Sequence, residues 1–293
     1  VSAALTLIGD VKPRAIVGFG GYPTFPPLVA ARMRGIPSAL HEQNAILGRA
    51  NRMLAGRVDL IATSFQHTKL VEGEIARKAR FTGNPVREVV IRAAVRPYLP
   101  PEPLGALRIL VFGGSQGARY FSETVPGALA GLPAALRARL EIVQQCRVED
   151  LDAVRRSYAE SGIRADLETF FRDLPERMAG AHLVVGRAGA SSVAELTVIG
   201  RPSILVPLPH SLDNDQLQNA TRLAESGGAW CIEQRELTAE RLATEIAALA
   251  AQPHRLAQAA AAAKAQGRPD AVDRLADLVE ALAERRHVMA ASA

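Results

Sequence analysis

Cysteine is almost absent. Cys146 and Cys231 are the only two in 293 residues, and neither belongs to a CxxC pair or a Cys/His cluster. That usage suits a reducing compartment and argues against a structural zinc site. Aromatic residues make up 4% of the chain, too few for the stacking surfaces that single-stranded nucleic acid requires, so no nucleic-acid partner is expected. No apolar run reaches the ~18–20 residues needed to cross a bilayer. No basic-then-apolar signal segment opens the chain. No strand is followed by GxGxxG and no GxxxxGK(S/T) occurs, which removes the dinucleotide and P-loop fingerprints and, with them, a dehydrogenase.

What is present is apolar and unevenly charged. At 48% hydrophobic residues the chain can bury a sizeable core, and its length suits two domains. Of 35 basic and 30 acidic residues, 13 and 6 lie in residues 1–95, a balance of +7; the remaining 22 and 24 give −2. A basic first half suggests phosphates or anionic lipid as its partner, although a solvated basic surface has the same composition. Four prolines within Arg96-Pro97-Tyr98-Leu99-Pro100-Pro101-Glu102-Pro103 can form neither helix nor central strand and mark a domain boundary. Ahead of it, short strands are expected at 15–17, 38–40 and 60–62, with helices at 26–34 and 46–55. Behind it, strands at 107–112, 140–143, 164–167, 183–185, 203–206 and 229–232 alternate with helices at 148–160, 174–181, 191–199, 216–225 and 239–251. Such alternation predicts a parallel sheet covered on both faces. A last helix from Pro269 would set Val272, Leu275, Val279 and Leu282 on one face.

Several loops sit where open α/β sheets place ligands, just past a strand. Gly18-Phe19-Gly20-Gly21-Tyr22 lets the backbone turn sharply and approach a ligand. His41-Glu42-Gln43-Asn44 puts four polar residues at a strand end, and Gly113-Gly114-Ser115-Gln116-Gly117-Ala118-Arg119 follows another strand directly. The chain is most distinctive after 183–185, where Gly186-Arg187-Ala188-Gly189-Ala190-Ser191-Ser192 opens a helix carrying Glu195. Free N–H groups at such a start favour an anion. Glu195, about one turn in, could accept two hydrogen bonds from a vicinal diol, or merely offset the helix dipole.

Taken in order, Gly18 to Tyr22, His41 to Asn44, Gly83-Asn84-Pro85-Val86-Arg87, Gly113 to Arg119 and Gly186 to Glu195 resemble the MurG family. These are the UDP-N-acetylglucosamine:undecaprenyl-diphospho-muramoylpentapeptide N-acetylglucosaminyltransferases of peptidoglycan synthesis. The resemblance spans essentially the whole chain. It implies an α/β fold of two Rossmann-like domains facing across a cleft (GT-B): 1–86 as the remainder of an acceptor- and membrane-facing domain, 87–106 as linker, 107–266 as the UDP-sugar domain, and 267–293 as a helix and tail packing back toward the first. It implies inverting transfer of N-acetylglucosamine to the muramoyl 4-hydroxyl, with no cofactor and no metal. The partners it implies are UDP-N-acetylglucosamine, the undecaprenyl-linked acceptor and the anionic inner-membrane surface, met peripherally from the cytoplasmic face.

By position, the resemblance puts the uracil near Phe171 and the ribose diol on Glu195. The diphosphate falls at Ser115 and at the backbone of Ala190, Ser191, Ser192, Val193 and Ala194. Arg87 joins the nucleotide site, and Asn44 and Gln216 reach the sugar. Two departures matter. The family's opening strand and Gly-Gly-x-Gly-Gly-His loop, with a proposed catalytic histidine, are missing, so the chain is expected to be truncated at its N-terminus, with His41 the base candidate that remains. Asp215 stands where the family often has His or Gln, which bears on one sugar contact. Another UDP-sugar enzyme of this scaffold, transferase or epimerase, and a non-catalytic UDP-binding fragment also fit these residues.

Overall fold

The computed structural model describes residues 1–113 and 119–291, with side chains through Glu284. Ser115, expected at the diphosphate, lies outside the described residues. Contacts group the chain into two units: Val1–Val86 with Leu212–Gln218 and Arg268–Ala293, and Arg87–Ser211 with Asn219–Gly267. Each unit is built on one parallel sheet, as the alternation of strands and helices requires.

In the first unit, β1 (Ile16–Gly18), β2 (Ser38–Glu42), β3 (Leu60–Thr63) and β4 (Ala79–Phe81) lie side by side in chain order. β2 is buried along its whole length, so its polar end residues, His41 and Glu42, are inside the protein. The helix Phe25–Met33 starts with prolines in its first turn, where a missing N–H costs nothing, and buries Leu28, Ala30 and Ala31. It closes onto Gly18, where an added Cβ would lie 2.3 Å from Thr24 Cγ2. The next helix is shorter than expected, Arg49–Ala55, because Ile46 and Leu47 are drawn into a bridge with Lys69 instead. β4 and the helix Gly73–Lys78 had no sequence signal, since neither has a fully buried residue to impose a period. In the last helix, Ala271–Ala291, Leu275 and Leu282 are buried, whereas Val272 in the first turn is exposed and Ala271 takes the inward position.

The second unit holds β5 (Leu107–Phe112), β6 (Leu140–Gln145), β7 (Arg164–Glu168), β8 (Leu183–Gly186), β9 (Ser203–Leu205) and β10 (Ala229–Cys231). Their order across the sheet is β10-β9-β8-β5-β6-β7. The chain runs outward from β5 to β7, then returns to β8 beside β5 and runs outward the other way. That reversal leaves a crevice beyond the carboxyl ends of β5 and β8, the ligand position of open α/β sheets. One face of the sheet packs Leu107, Ile109, Val111, Ile142 and Val185 against helices Arg119–Ala130 and Ala239–Ala250. Residues 87–106, expected to link the units, group with the second. They contain a helix, Glu88–Ala93, and Tyr98 Oη donates to His182 O.

Candidate active site

The crevice beyond β8 is shaped by glycine and charge. After Gly186 the chain passes Arg187, Ala188 and Gly189 and enters the helix Ala190–Ile199. Its N-cap is Gly189, which has no side chain to occupy the first N–H groups. A ten-residue helix therefore presents an open positive end beside the crevice. Asn219, fully buried, donates from Nδ2 to Ala188 O at 3.0 Å and pins the approach to that end. Glu195 lies with 12% of its side chain exposed, and Arg87 Nη2 donates to its Oε1 at 3.0 Å. The two residues placed in the nucleotide site by separate motifs, 108 positions apart, are thus in direct contact.

Across the sheet, Gln145 at the end of β6 bridges Gly113 and the segment before Phe171. Its Oε1 accepts from Gly113 N at 3.3 Å and its Nε2 donates to Thr169 O at 3.2 Å. Phe171 is buried beneath the Arg177 guanidinium, 4.5 Å from the ring centroid, and Asp173 and Asp166 hold that arginine in place. With its ring committed to packing, Phe171 has only its backbone to offer a base.

The first unit carries a cavity of about 700 Å³. Gly20 and Gly21 wall it, both at positive φ (82° and 73°), where only glycine is unstrained. Tyr22, Phe25 and Met53 give it apolar surface; Gln43, Asn44, Arg49, Asp213 and Asp215 give it polar surface. The expected sugar contact Asn44 lies on this wall, and Gln216 belongs to the same unit, next to Asp215, which also lines the cavity. Asp213 bridges Arg49 and Arg52, each at 3.2 Å.

His41 is built into the fold. Its Nε2 is 3.0 Å from Gly83 O and its Nδ1 2.9 Å from Gln43 Nε2. Nε2–H donates to the carbonyl and Nδ1 accepts from the amide, so the ring is neutral with both nitrogens committed. Burial pushes its pKa down. A ring in this state ties β2 to the turn after β4 and has no free nitrogen for an acceptor hydroxyl. The residue that organises this loop is Glu42, which in the sequence is only one of four polar residues at a strand end. It is 2% exposed, and its two oxygens accept from Asn44 N (3.0 Å), Asn44 Nδ2 (3.3 Å), Gly48 N (2.9 Å) and Asn51 Nδ2 (2.7 Å). Its one available signal was an acid at the buried end of a strand, which demands compensation.

Two compact α/β units, one with an open helix end, a carboxylate and an arginine at its sheet's reversal point, define a class: nucleotide-sugar glycosyltransferases of the GT-B fold. Residues 108–275 match the glycosyltransferase family 28 C-terminal domain and residues 1–63 the family 28 N-terminal domain. The UDP-N-acetylglucosamine–N-acetylmuramyl-(pentapeptide) pyrophosphoryl-undecaprenol N-acetylglucosamine transferase of Rhodospirillum centenum is 56% identical over 272 residues, 93% of this chain and 72% of its own length. The crystal structure of MurG from Acinetobacter baumannii superposes with a TM-score of 0.80 at 30% identity, covering 94% of this chain and 77% of that one. The UDP-GlcNAc 2-epimerase of Neisseria meningitidis, bound to UDP-GlcNAc, shares the fold at TM-score 0.66 and 14% identity, covering 94% and 79%. The chain belongs to the MurG family of N-acetylglucosamine transferases.

Proposed function

We propose that this chain transfers N-acetylglucosamine from UDP-N-acetylglucosamine, with inversion, to the muramoyl 4-hydroxyl of an undecaprenyl-diphospho-muramoylpentapeptide. The observation that carries the donor half is the Arg87–Glu195 contact beside the open helix at Ala190. An exposed ion pair contributes little to stability, so Arg87 can turn to a phosphate while Glu195 takes the ribose diol. As the glycosidic bond breaks, negative charge develops on the β-phosphate of the leaving UDP. The N–H groups of Ala190 to Ser192 and the guanidinium stabilise that charge where it forms; Val193 N–H, expected to join them, donates to Gly189 O at 3.0 Å. The acceptor hydroxyl must lose its proton to a base. His41, with both ring nitrogens bonded, is not assigned that role.

The same reading gives the first unit a membrane-facing surface from the cytoplasmic side. Among the described residues no helix is long and apolar enough to cross a membrane. Met33 and Met53 are exposed beside Arg32, Arg34 and Arg57, and Leu7 and Val11 are exposed on the helix Ser2–Val11, which packs against Phe25–Met33. Arg49 and Arg52, also basic residues of this unit, are partly neutralised by Asp213.

The test is transfer of radiolabel from UDP-N-acetylglucosamine to a soluble analogue of the lipid-linked muramoylpentapeptide. Labelled disaccharide product of inverted configuration is expected. Release of free sugar, or of the 2-epimer, without transfer would replace this reading with another enzyme on the scaffold.

A further inference from the structure

Arg187 is 6% exposed at the carboxyl end of β8, three residues ahead of the open helix start. Its Nη1 donates to the carbonyls of Val206 (3.1 Å) and Pro207 (3.2 Å), and its Nη2 to Gln234 Oε1 at 2.6 Å. Its guanidinium carbon lies 5.0 Å from the Phe121 ring centroid and 5.6 Å from that of Tyr120. Every one of these partners is neutral. Among the described residues no carboxylate pairs with it, and its Nε is buried without a partner. Burial accordingly lowers its pKa.

A buried cation lacking a counter-ion is costly unless something else offsets it. The elements around Arg187 share one location. They are the first turn of Arg119–Ala130, the segment after β9, the segment after β10 and the loop into Ala190, all at the carboxyl edge of the sheet. We propose that Arg187 is a buried counter-charge for the diphosphate of the bound nucleotide, acting through space on the anion seated at the helix start. It is a positioning residue: it holds the crevice walls by its hydrogen bonds and leaves its net charge unspent until the ligand arrives. The inference rests on the donor reading above. At a charge separation of about 10 Å, in a partly dry site, one unit charge favours an anion by roughly tenfold.

Calorimetric titration of UDP and of uridine against the wild type, Arg187→Gln and Arg187→Lys tests this. Gln keeps a donor for the carbonyls but removes the charge; Lys keeps the charge but loses the fork. The ratio of UDP affinity to uridine affinity should fall about tenfold in Arg187→Gln and stay within about twofold of wild type in Arg187→Lys. Partial unfolding lowers both ligands alike and leaves that ratio intact. An unchanged ratio in Arg187→Gln, or an equal fall in both variants, overturns the inference and makes Arg187 a structural bracket only. A wild type with no preference for UDP over uridine would overturn the donor reading itself, and this one with it.

Discussion

Glu195, on the helix Ala190–Ile199, and Glu42, at the end of β2, are both carboxylates, and their surroundings give them different work. Glu195 keeps a partly exposed side chain bonded to one exposed arginine, so it remains available to a ligand. Replacing it by Ala should weaken UDP binding by about 2–3 kcal/mol and remove the preference for UDP over 2′-deoxy-UDP; calorimetry with both ligands checks this, and equal affinities in wild type and variant would leave Glu195 a helix-dipole residue. Glu42 is fully engaged by four donors. Glu42→Ala should lower stability by about 2–4 kcal/mol through unpaired buried donors, read by urea unfolding, with the loop at Asn44 losing its amide protection first. His182 provides a pH signature. It is 5% exposed, and burial, then Arg108, Arg201 and Arg96, push its pKa from 6.5 down to about 4. Its neutral form is favoured in the folded state, so its contribution is whole above 6.5 and is lost as pH falls toward 4. Urea unfolding at pH 7 and pH 4.5 should show a larger loss for the wild type than for His182→Gln.

At the scale of elements, helix ends decide more than helix interiors. Arg201, 1% exposed, donates to the carbonyls of Ala179, Ile199 and Gly200, at the carboxyl ends of two helices, and to Arg96 O. It stands there as a shared C-cap that also holds residues 96–97 against the second unit. Arg201→Met should cost about 2–4 kcal/mol because several buried carbonyls lose their donor, and Lys should restore only part of it because one ammonium cannot reproduce the fork. The helices Ser2–Val11 and Phe25–Met33, with Arg34, Met53 and Arg57, carry the membrane surface proposed above. Co-sedimentation with vesicles should require anionic lipid and weaken with added salt, at about 1 kcal/mol per basic residue engaged; binding indifferent to both would reduce the patch to an ordinary solvated face.

For the whole molecule, the two sheets predict where a donor nucleotide acts. UDP at a hundred times its dissociation constant stabilises the state it binds by about 2.7 kcal/mol. Amide exchange should slow chiefly in Leu183–Leu205 and around Gly113, within the second unit, and change little in β2 and β3 of the first. Protection that is instead uniform over both units would argue against a nucleotide site built from the second unit's elements.

The sequence by itself determined the sheet class, most strands and the candidate loops. Apolar runs such as Leu107 to Phe112 and Leu183 to Val185 can only be buried parallel strands when helices separate them. Glycines after strands let the backbone turn sharply where open α/β sheets place ligands. Strands with no buried face, such as β4, had no period to reveal them. The tertiary structure decided which residues are spent. It committed both nitrogens of His41 to the fold, gave Glu42 its four donors, paired Arg49 and Arg52 with Asp213, and brought Arg87 to Glu195. Hydrogen-bond capacity is consumed by neighbours in space, and neighbours more than a hundred residues apart leave no trace in a local pattern.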